Sequence, residues 1–234
     1  MKISKSKIFA SGLFAIMLNV FSTSSTQAAE EVKALKVGPA EVSFNASYMS
    51  NYIWRGADQN ANDGSASFGM DLALPKTIYA GIWTAGISAD GSSQEVDFYA
   101  GFAPSFGPAN FDIGYIAYKY PGAVTPENTN FGEWYAGVEF APEGKPFTVG
   151  AKIYQNDAGK NLQTTEFSAS YDTGVVALLA VMGDAENSNE YWSVTASKEM
   201  AGLELALTYS DNEQDTAEVT KDKEYLTLTV SKSF

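Results

Sequence analysis

The sequence predicts an all-β fold, an antiparallel transmembrane β-barrel of about twelve strands. Three observations predict it. Apolar and polar residues alternate with period 2 through segment after segment. Long polar connections alternate with short turns. Aromatic residues gather towards both ends of the segments rather than in their middles. No window after the N-terminus reaches 18 consecutive apolar residues, so a bundle of membrane helices is excluded. A barrel strand needs only about 9–11 residues, half of them apolar, so a mean hydropathy of −0.15 is no obstacle.

The N-terminus reads as an export signal. Lys2, Lys5 and Lys7 precede an apolar stretch from Ile8 to Phe21, and Thr26-Gln27-Ala28 supplies small residues for cleavage. Residues 1–28 are therefore expected to be a signal peptide, 29–40 an N-terminal periplasmic segment and 41–234 the barrel. Losing three lysines takes the net charge from −13 to −16. Such acidity speaks against nucleic acid as a partner. An exported chain with no cysteine has no disulfides to rely on, which leaves ordinary burial or a membrane to hold it together.

The first segment runs from Val42 to Arg55. Val42, Phe44, Ala46, Tyr48, Tyr52 and Trp54 share one face; Ser43, Asn45, Ser47, Asn51 and Arg55 share the other, with Met49 and Ile53 among them. Phe68, Met70, Leu72 and Leu74 then oppose Ser67, Gly69 and Asp71. A third, less regular strand covers Ile78 to Ser88. Val96, Phe98, Ala100 and Phe102 oppose Glu95, Asp97, Tyr99 and Gly101. Phe111, Ile113 and Tyr115 oppose Asp112 and Gly114. Trp134, Ala136, Val138 and Phe140 oppose Glu133, Tyr135, Gly137 and Glu139. Phe147, Val149, Ala151 and Ile153 oppose Lys152 and Tyr154. Phe167, Ala169 and Tyr171 oppose Glu166, Ser168 and Ser170. Val175 to Met182 is apolar on both faces. Trp192 to Ala196, Leu203 to Tyr209 and Leu226 to Phe234 complete the series.

Between these segments, connections such as "GADQNANDGSA", "PGAVTPENTNFG" and "DNEQDTAEVTKD" are long and polar, while "PKT", "DTG" and "EMAG" are short. Short periplasmic turns and longer outer loops are the rhythm of an outer-membrane barrel. With both termini on the periplasmic side, Trp54, Trp134 and Trp192 fall near the outer rim. Phe44, Phe102, Phe111, Phe140, Phe147, Tyr171 and Phe234 fall near the inner one. A chain that stops on Phe234, at the end of a strand with Leu226, Leu228 and Val230 on one face, suits a terminus lying in the membrane interface. It resembles the signal that outer-membrane assembly machinery reads, which makes that machinery, with outer-membrane lipid and lipopolysaccharide, an expected partner.

Catalysis finds little here. Without histidine there is no Ser-His or Asp-His constellation, and without cysteine or histidine no thiolate or imidazole metal site. No cofactor motif appears, and the chain is not expected to be an enzyme. "DNEQD" and "NANDG" are oxygen-rich but lack the spacing of a dedicated calcium loop, so solvated loops are the plainer reading. The chemistry lies on the polar faces, which should line the lumen. Asp71, Glu95, Asp97, Asp112, Glu133 and Glu139, with Glu166 and Glu204, face only two cations, Arg55 and Lys152. Tyr99, Tyr118, Tyr135 and Tyr154, with Tyr79 and Trp83, add aromatic surface. Arg55 is the sole arginine, and its guanidinium fork suits a bidentate carboxylate partner. Two readings stay open: a narrow acidic pore for small solutes, or an interior filled by these same side chains. A soluble lipocalin-like binder is a third.

Around "NASYMSNYIWRGADQN" the sequence resembles the TorF-like porin family, also catalogued as a bacterial family of unknown function. The resemblance extends to "YAGIW" from Tyr79, "EVDFYAGF" from Glu95, "YKYPG" from Tyr118 and "EWYAGV" from Glu133, and is strongest over residues 44–140. It implies an outer-membrane barrel with a pore. It implies no catalytic residue and names no solute. With the acidic inner faces, the expectation is a cell outer membrane channel for passive passage of small solutes, cation-preferring, whose alternative is a structural barrel with a plugged lumen.

Overall fold

The computed structural model describes residues 35–75, 77–157, 163–185, 189–216 and 219–234. The expected signal peptide lies outside the described residues. One antiparallel sheet takes up almost the whole chain. Its closed ring has twelve strands: β2 (Ala40–Met49), β5 (Ser65–Ala73), β6 (Ile78–Ala89), β7 (Ser92–Phe102), β9 (Ala109–Lys119), β10 (Phe131–Phe140), β11 (Phe147–Asn156), β12 (Gln163–Asp172), β13 (Ala177–Ala185), β14 (Asn189–Met200), β15 (Leu203–Thr216) and β16 (Val219–Ser233). Each strand pairs with the next in sequence, and β16 pairs back onto β2, from Thr229 opposite Met49 to Ser233 opposite Asn45. Phe44 and Phe234 exchange backbone hydrogen bonds of 3.1 and 2.8 Å and finish that seam. Closure matters because a strand edge in a bilayer would leave peptide groups with nothing to bond.

Short pieces decorate the ring. β1 (Leu35–Val37) pairs with residues 40–42 of β2, on the edge opposite β5. It therefore continues the sheet beyond the point where β16 stops. β8 (Ser105–Phe106) pairs with the start of β9. β3 (Ile53–Trp54) and β4 (Ala57–Asp58) form a separate two-stranded hairpin, and α1 (Pro126–Thr129) is a single turn.

Both termini of the ring, with Leu74, Pro75, Thr77 and the connections 103–108, 141–146, 173–176 and 201–202, lie at one end, the turn end. Among the described residues, the other end carries 50–64, 90–91, 120–130 and Asp157. The expected long-short rhythm is only partly realised. "ADGSSQ" collapses to a two-residue turn in which Asp90 and Gly91 have φ of 45° and 80°, the form that matches the twist of paired strands. "DNEQDTAEVTKD" is mostly strand. The β15–β16 ladder continues to Thr216 opposite Val219, so this hairpin stands taller than its neighbours. Polar residues do not end a ladder where water covers both faces, and length of polar sequence was misread as length of loop.

The first segment also departs from expectation. β2 ends at Met49, and Ser50 and Asn51 turn the chain inward. A strand of 42–55 would have been longer than a bilayer needs. Residues 50–64 instead fold into the barrel mouth, and Trp54 leaves the expected outer belt for the interior. The other belt residues stand outward as alternation requires. Trp134 packs on Tyr115 at 4.9 Å and Trp192 on Tyr209 at 5.4 Å towards the loop end, while Phe106 and Phe111 meet at 6.0 Å at the turn end. The large exposed side chains of the strands, such as Phe98, Ile113, Phe167 and Leu228, all belong to this outer face.

Candidate functional site

The inward loop makes the site. β3 and β4 are joined by Arg55 and Gly56, whose φ values of 48° and 74° form a two-residue hairpin. Gly56 has no alternative here. A Cβ would sit 2.7 Å from Asn212 Cβ and 2.8 Å from Tyr191 Cβ, so the hairpin tip rests on β14 and β15. Arg55 in a left-handed conformation costs on the order of 1–2 kcal/mol. Its side chain offsets that cost. Arg55 Nη1 and Nη2 donate to the two Glu133 oxygens at 2.8 and 3.0 Å, and the guanidinium lies 4.4 Å from the ring centres of both Trp54 and Tyr154. Both partners are buried. The rest of the loop is built to hold that tip. Asp58 accepts from the backbone of Asn60 and Asn62 at 2.9 and 2.8 Å, Ser88 N donates to Gln59 O at 2.9 Å, and Tyr52 packs edge-on against Trp83.

Behind the loop lies an aromatic and acidic wall, from β5 to β11. Its tyrosines lie flat over glycines of the neighbouring strand. Tyr99 is opposite Gly81, Tyr79 opposite Gly101 and Tyr135 opposite Gly114; a Cβ on any of these glycines would fall inside the ring it faces. The hydroxyls then meet carboxylates. Tyr99 donates to Asp71, which also accepts from Asn45 Nδ2 at 3.2 Å. Tyr79 donates to Asp112 at 2.5 Å and touches the Tyr135 hydroxyl, and Lys152 Nζ reaches the other Asp112 oxygen at 2.8 Å. Tyr118 donates to Glu133 at 3.0 Å. Asn110 donates to Glu139 at 3.2 Å.

Of the inner-face residues singled out in the sequence, Asp71, Glu95, Asp97, Tyr99, Asp112, Tyr118, Glu133, Tyr135, Glu139 and Lys152 stand on this wall and Arg55 on the hairpin against it, whereas Glu166 and Glu204 stand outside it, on β12 and β15. Several are not open to a passing solute. Glu95, Asp97 and Glu133 are 3%, 0% and 1% exposed, closed in under the loop, and Asp71, Tyr99, Tyr118 and Tyr135 are buried as well. Glu95 and Asp97 adjoin each other beside the Tyr52 hydroxyl, and neither Asp97 oxygen has a hydrogen-bond donor among the described residues. No group of three or more acidic residues placed to hold a metal ion occurs among the described residues.

The facing wall, from β13 through β16 to β2, is different. Ser193, Thr195, Thr208, Ser210, Thr227 and Thr229 line a small cleft, open at its mouth, between this wall and the inserted hairpin. Tyr191 closes one side, lying over Gly183 and donating to Glu166 at 2.5 Å.

Sequence reading missed the inserted hairpin, and with it the inward roles of Tyr52 and Trp54 and the contact of Gly56 with Tyr191 and Asn212. Two signals were present. The first segment exceeded a membrane span, and its Arg-Gly pair marks a tight turn rather than a strand end.

A family model described as "Bacterial protein of unknown function (Gcw_chp)" matches residues 33–234. No curated protein matches the chain. Among solved structures, the "KdgM porin" superposes with a TM-score of 0.58 at 8% identity, covering 83% of this chain and 99% of that one. A second structure of it, "KdgM porin in complex with disordered oligogalacturonate", gives 0.57 at 8% identity with the same coverage. The NanC porin gives 0.51 at 8% identity, covering 81% of this chain and 97% of the other. At such identity the likeness is one of fold.

Proposed function

The chain belongs to the Gcw_chp family of bacterial proteins of unknown function, and we propose that it is an outer-membrane, porin-like channel for passive passage of small solutes, with a preference for cations. The observation that carries this reading is the inserted hairpin. It narrows the mouth of a closed barrel without filling it and leaves a cleft against the hydroxyl wall. Two further facts support it: fold likeness to porins over nearly their whole length, and a lipid-ready outer face. A membrane channel with neither histidine nor cysteine has no need of a catalytic role. Export by a cleaved signal peptide, lodging among lipopolysaccharide, recognition of Phe234 by the assembly machinery and the TorF-like label belong to the same reading.

The cation preference rests on charge. Two inward carboxylates, Glu133 and Asp112, are matched by Arg55 and Lys152. Asp71, Glu139 and Glu166 accept hydrogen bonds from neutral donors only, so no cation stands at bonding distance from them. In a narrow low-dielectric passage this excess attracts cations and repels anions. The test is a KCl-gradient reversal potential on purified protein in planar bilayers. A cation-selective sign is expected at low salt, fading as salt shortens the screening length from about 30 Å at 0.01 M to about 3 Å at 1 M. An anion-selective sign overturns the preference. A second reading, a plugged structural barrel, is favoured by the tight packing behind the hairpin; well-folded protein with no conductance would decide for it.

A further inference from the structure

Resting on the channel reading above, we propose that the cleft between the hairpin and the β14–β16 wall is a passage site for small, uncharged, hydroxyl-rich solutes such as a single neutral sugar ring. The wall is a grid. Ser193 stands opposite Ser210, Thr195 opposite Thr208, and Thr208 opposite Thr227. Strand spacing puts neighbouring hydroxyls about 5 Å apart across the sheet and about 7 Å apart along it. Each hydroxyl both donates and accepts, so the grid can meet a solute hydroxyl in either sense.

Part of this grid is unused by the protein. Thr195 and Thr208 bond each other at 2.9 Å, but Ser210 Oγ and Thr227 Oγ1 are buried with no partner among the described residues. Asn51 Oδ1, across the cleft at the hairpin root, is another such acceptor. Eleven buried side-chain polar atoms lack a partner among the described residues, and these three belong to residues that line the cleft, where a turn of the side chain brings them to a polar guest. The charge of the lining selects the guest further. Its two ionised groups are Arg55 and Glu166, one of each sign, and both are already engaged, by Glu133 and by Tyr191. No free cation waits for an acidic sugar, and the carboxylates of the far wall repel one. A neutral polyol has its hydroxyls satisfied and meets no opposing field.

The experiment compares wild type with a Ser210→Ala, Thr227→Val double variant in proteoliposome swelling and in planar bilayers. These substitutions break no hydrogen bond among the described residues, so the fold, read as heat modifiability on gels, should be retained. D-glucose, D-glucuronate and D-glucosamine are the probes. Wild type should admit glucose readily and glucuronate slowest. The variant should slow glucose by roughly three- to tenfold, since a solute hydroxyl stripped of water would find no partner. Equal glucose rates in variant and wild type overturn the proposal. So does a wild type that conducts K⁺ and passes glucosamine while excluding glucose. A wild type without K⁺ conductance removes the channel reading itself, and the proposal with it.

Discussion

The wall from β5 to β11 and the wall from β13 to β16 face each other across one barrel, yet they satisfy their polar groups in opposite ways. The first uses large side chains that reach across strands. Its tyrosines lie over glycines, and their hydroxyls end on carboxylates, so that Asp71, Asp112 and Glu133 each have donors supplied from other strands or from the hairpin. The second uses small side chains. Thr195 and Thr208 bond only each other, Ser210 and Thr227 end without partners among the described residues, and the cleft lies beside them. The first wall has the character of a protein core and the second that of a lining. The difference teaches why the hairpin lies as it does: it docks where there are aromatic faces and a buried carboxylate to receive it, and only its glycine tip touches the bare side.

The strongest way to break this asymmetry is to release the hairpin. Arg55→Ala leaves Glu133 buried and unpaired, which costs about 3–5 kcal/mol. The expected outcome is loss of the hairpin from the mouth, a several-fold rise in single-channel conductance and new protease cleavage within residues 50–64 of reconstituted protein. Arg55→Lys should fall between, because an ammonium cannot reproduce the two parallel bonds of the fork. Unchanged conductance in Arg55→Ala would show that the hairpin does not limit passage.

The glycines sharpen the comparison at smaller cost. Gly114→Ala sets a methyl 2.5 Å from Tyr135 Cζ and 2.6 Å from the Ala100 carbonyl oxygen, and forces the tyrosine ring into the lumen. Overpacking of this kind costs roughly 1–3 kcal/mol. Gly150→Ala, on β11 away from the tyrosine stack, meets first Ser168 Oγ at 2.8 Å, a small group free to rotate away. Heat modifiability on gels should therefore shift to lower temperature for Gly114→Ala and scarcely move for Gly150→Ala. Equal shifts would deny that the tyrosine–glycine pairs define the first wall.

The barrel was legible in the sequence because a ring of strands writes its two environments directly into alternate residues. Phase was right even at Tyr79 and Trp83, which face inward and are buried. The site was legible only as a list of inward residues. Alternation states which face a side chain occupies but not what folds over it. Glu95, Asp97 and Glu133 could be placed on the inner face but not as open or covered, because nothing in their own strands announces a hairpin arriving from residues 50–64. Nor could the β15–β16 ladder be told from a loop, since polarity reports water and not backbone conformation.

Asp97 offers a prediction of opposite sign. It sits against Glu95, and no N–H or hydroxyl of the described residues reaches either of its oxygens. Two carboxyls in contact bond only by holding a proton between them, whereas in Asp97→Asn the amide donates to Glu95 without one. A hydrogen bond to a charged group contributes about 1–3 kcal/mol. The variant should resist urea or heat better than wild type, with K⁺ selectivity little changed, since Asp97 is sealed from the passage. A destabilised Asp97→Asn would mean that the carboxyl pair is itself a fixed part of the wall.

The smallest effect belongs to the loop end, outside both walls. Asp90, in the β6–β7 turn, accepts from Thr129 Oγ1 at 2.7 Å and from Thr125 Oγ1 and N at 2.7 and 2.8 Å, tying that turn to α1. These three donors, Thr129 first, hold the Asp90 carboxyl below the ordinary aspartate value. A lowered value means that the folded loop favours the ionised form. The tie is therefore complete above the ordinary aspartate range and is lost as pH falls through the lowered value. Asp90 is solvent-facing, so the effect stays local. Protection of the Thr125 and Thr129 amides, taken relative to the intrinsic exchange rate at each pH, should fall on acidification below that range, while amides of β6 and β7 keep theirs. Asp90→Asn, which has no charge to lose, should show lower protection at neutral pH and no further change on acidification. An acid-induced loss of protection that persists in Asp90→Asn would assign the loop's pH dependence to another group, and the walls behind it would be untouched in either case.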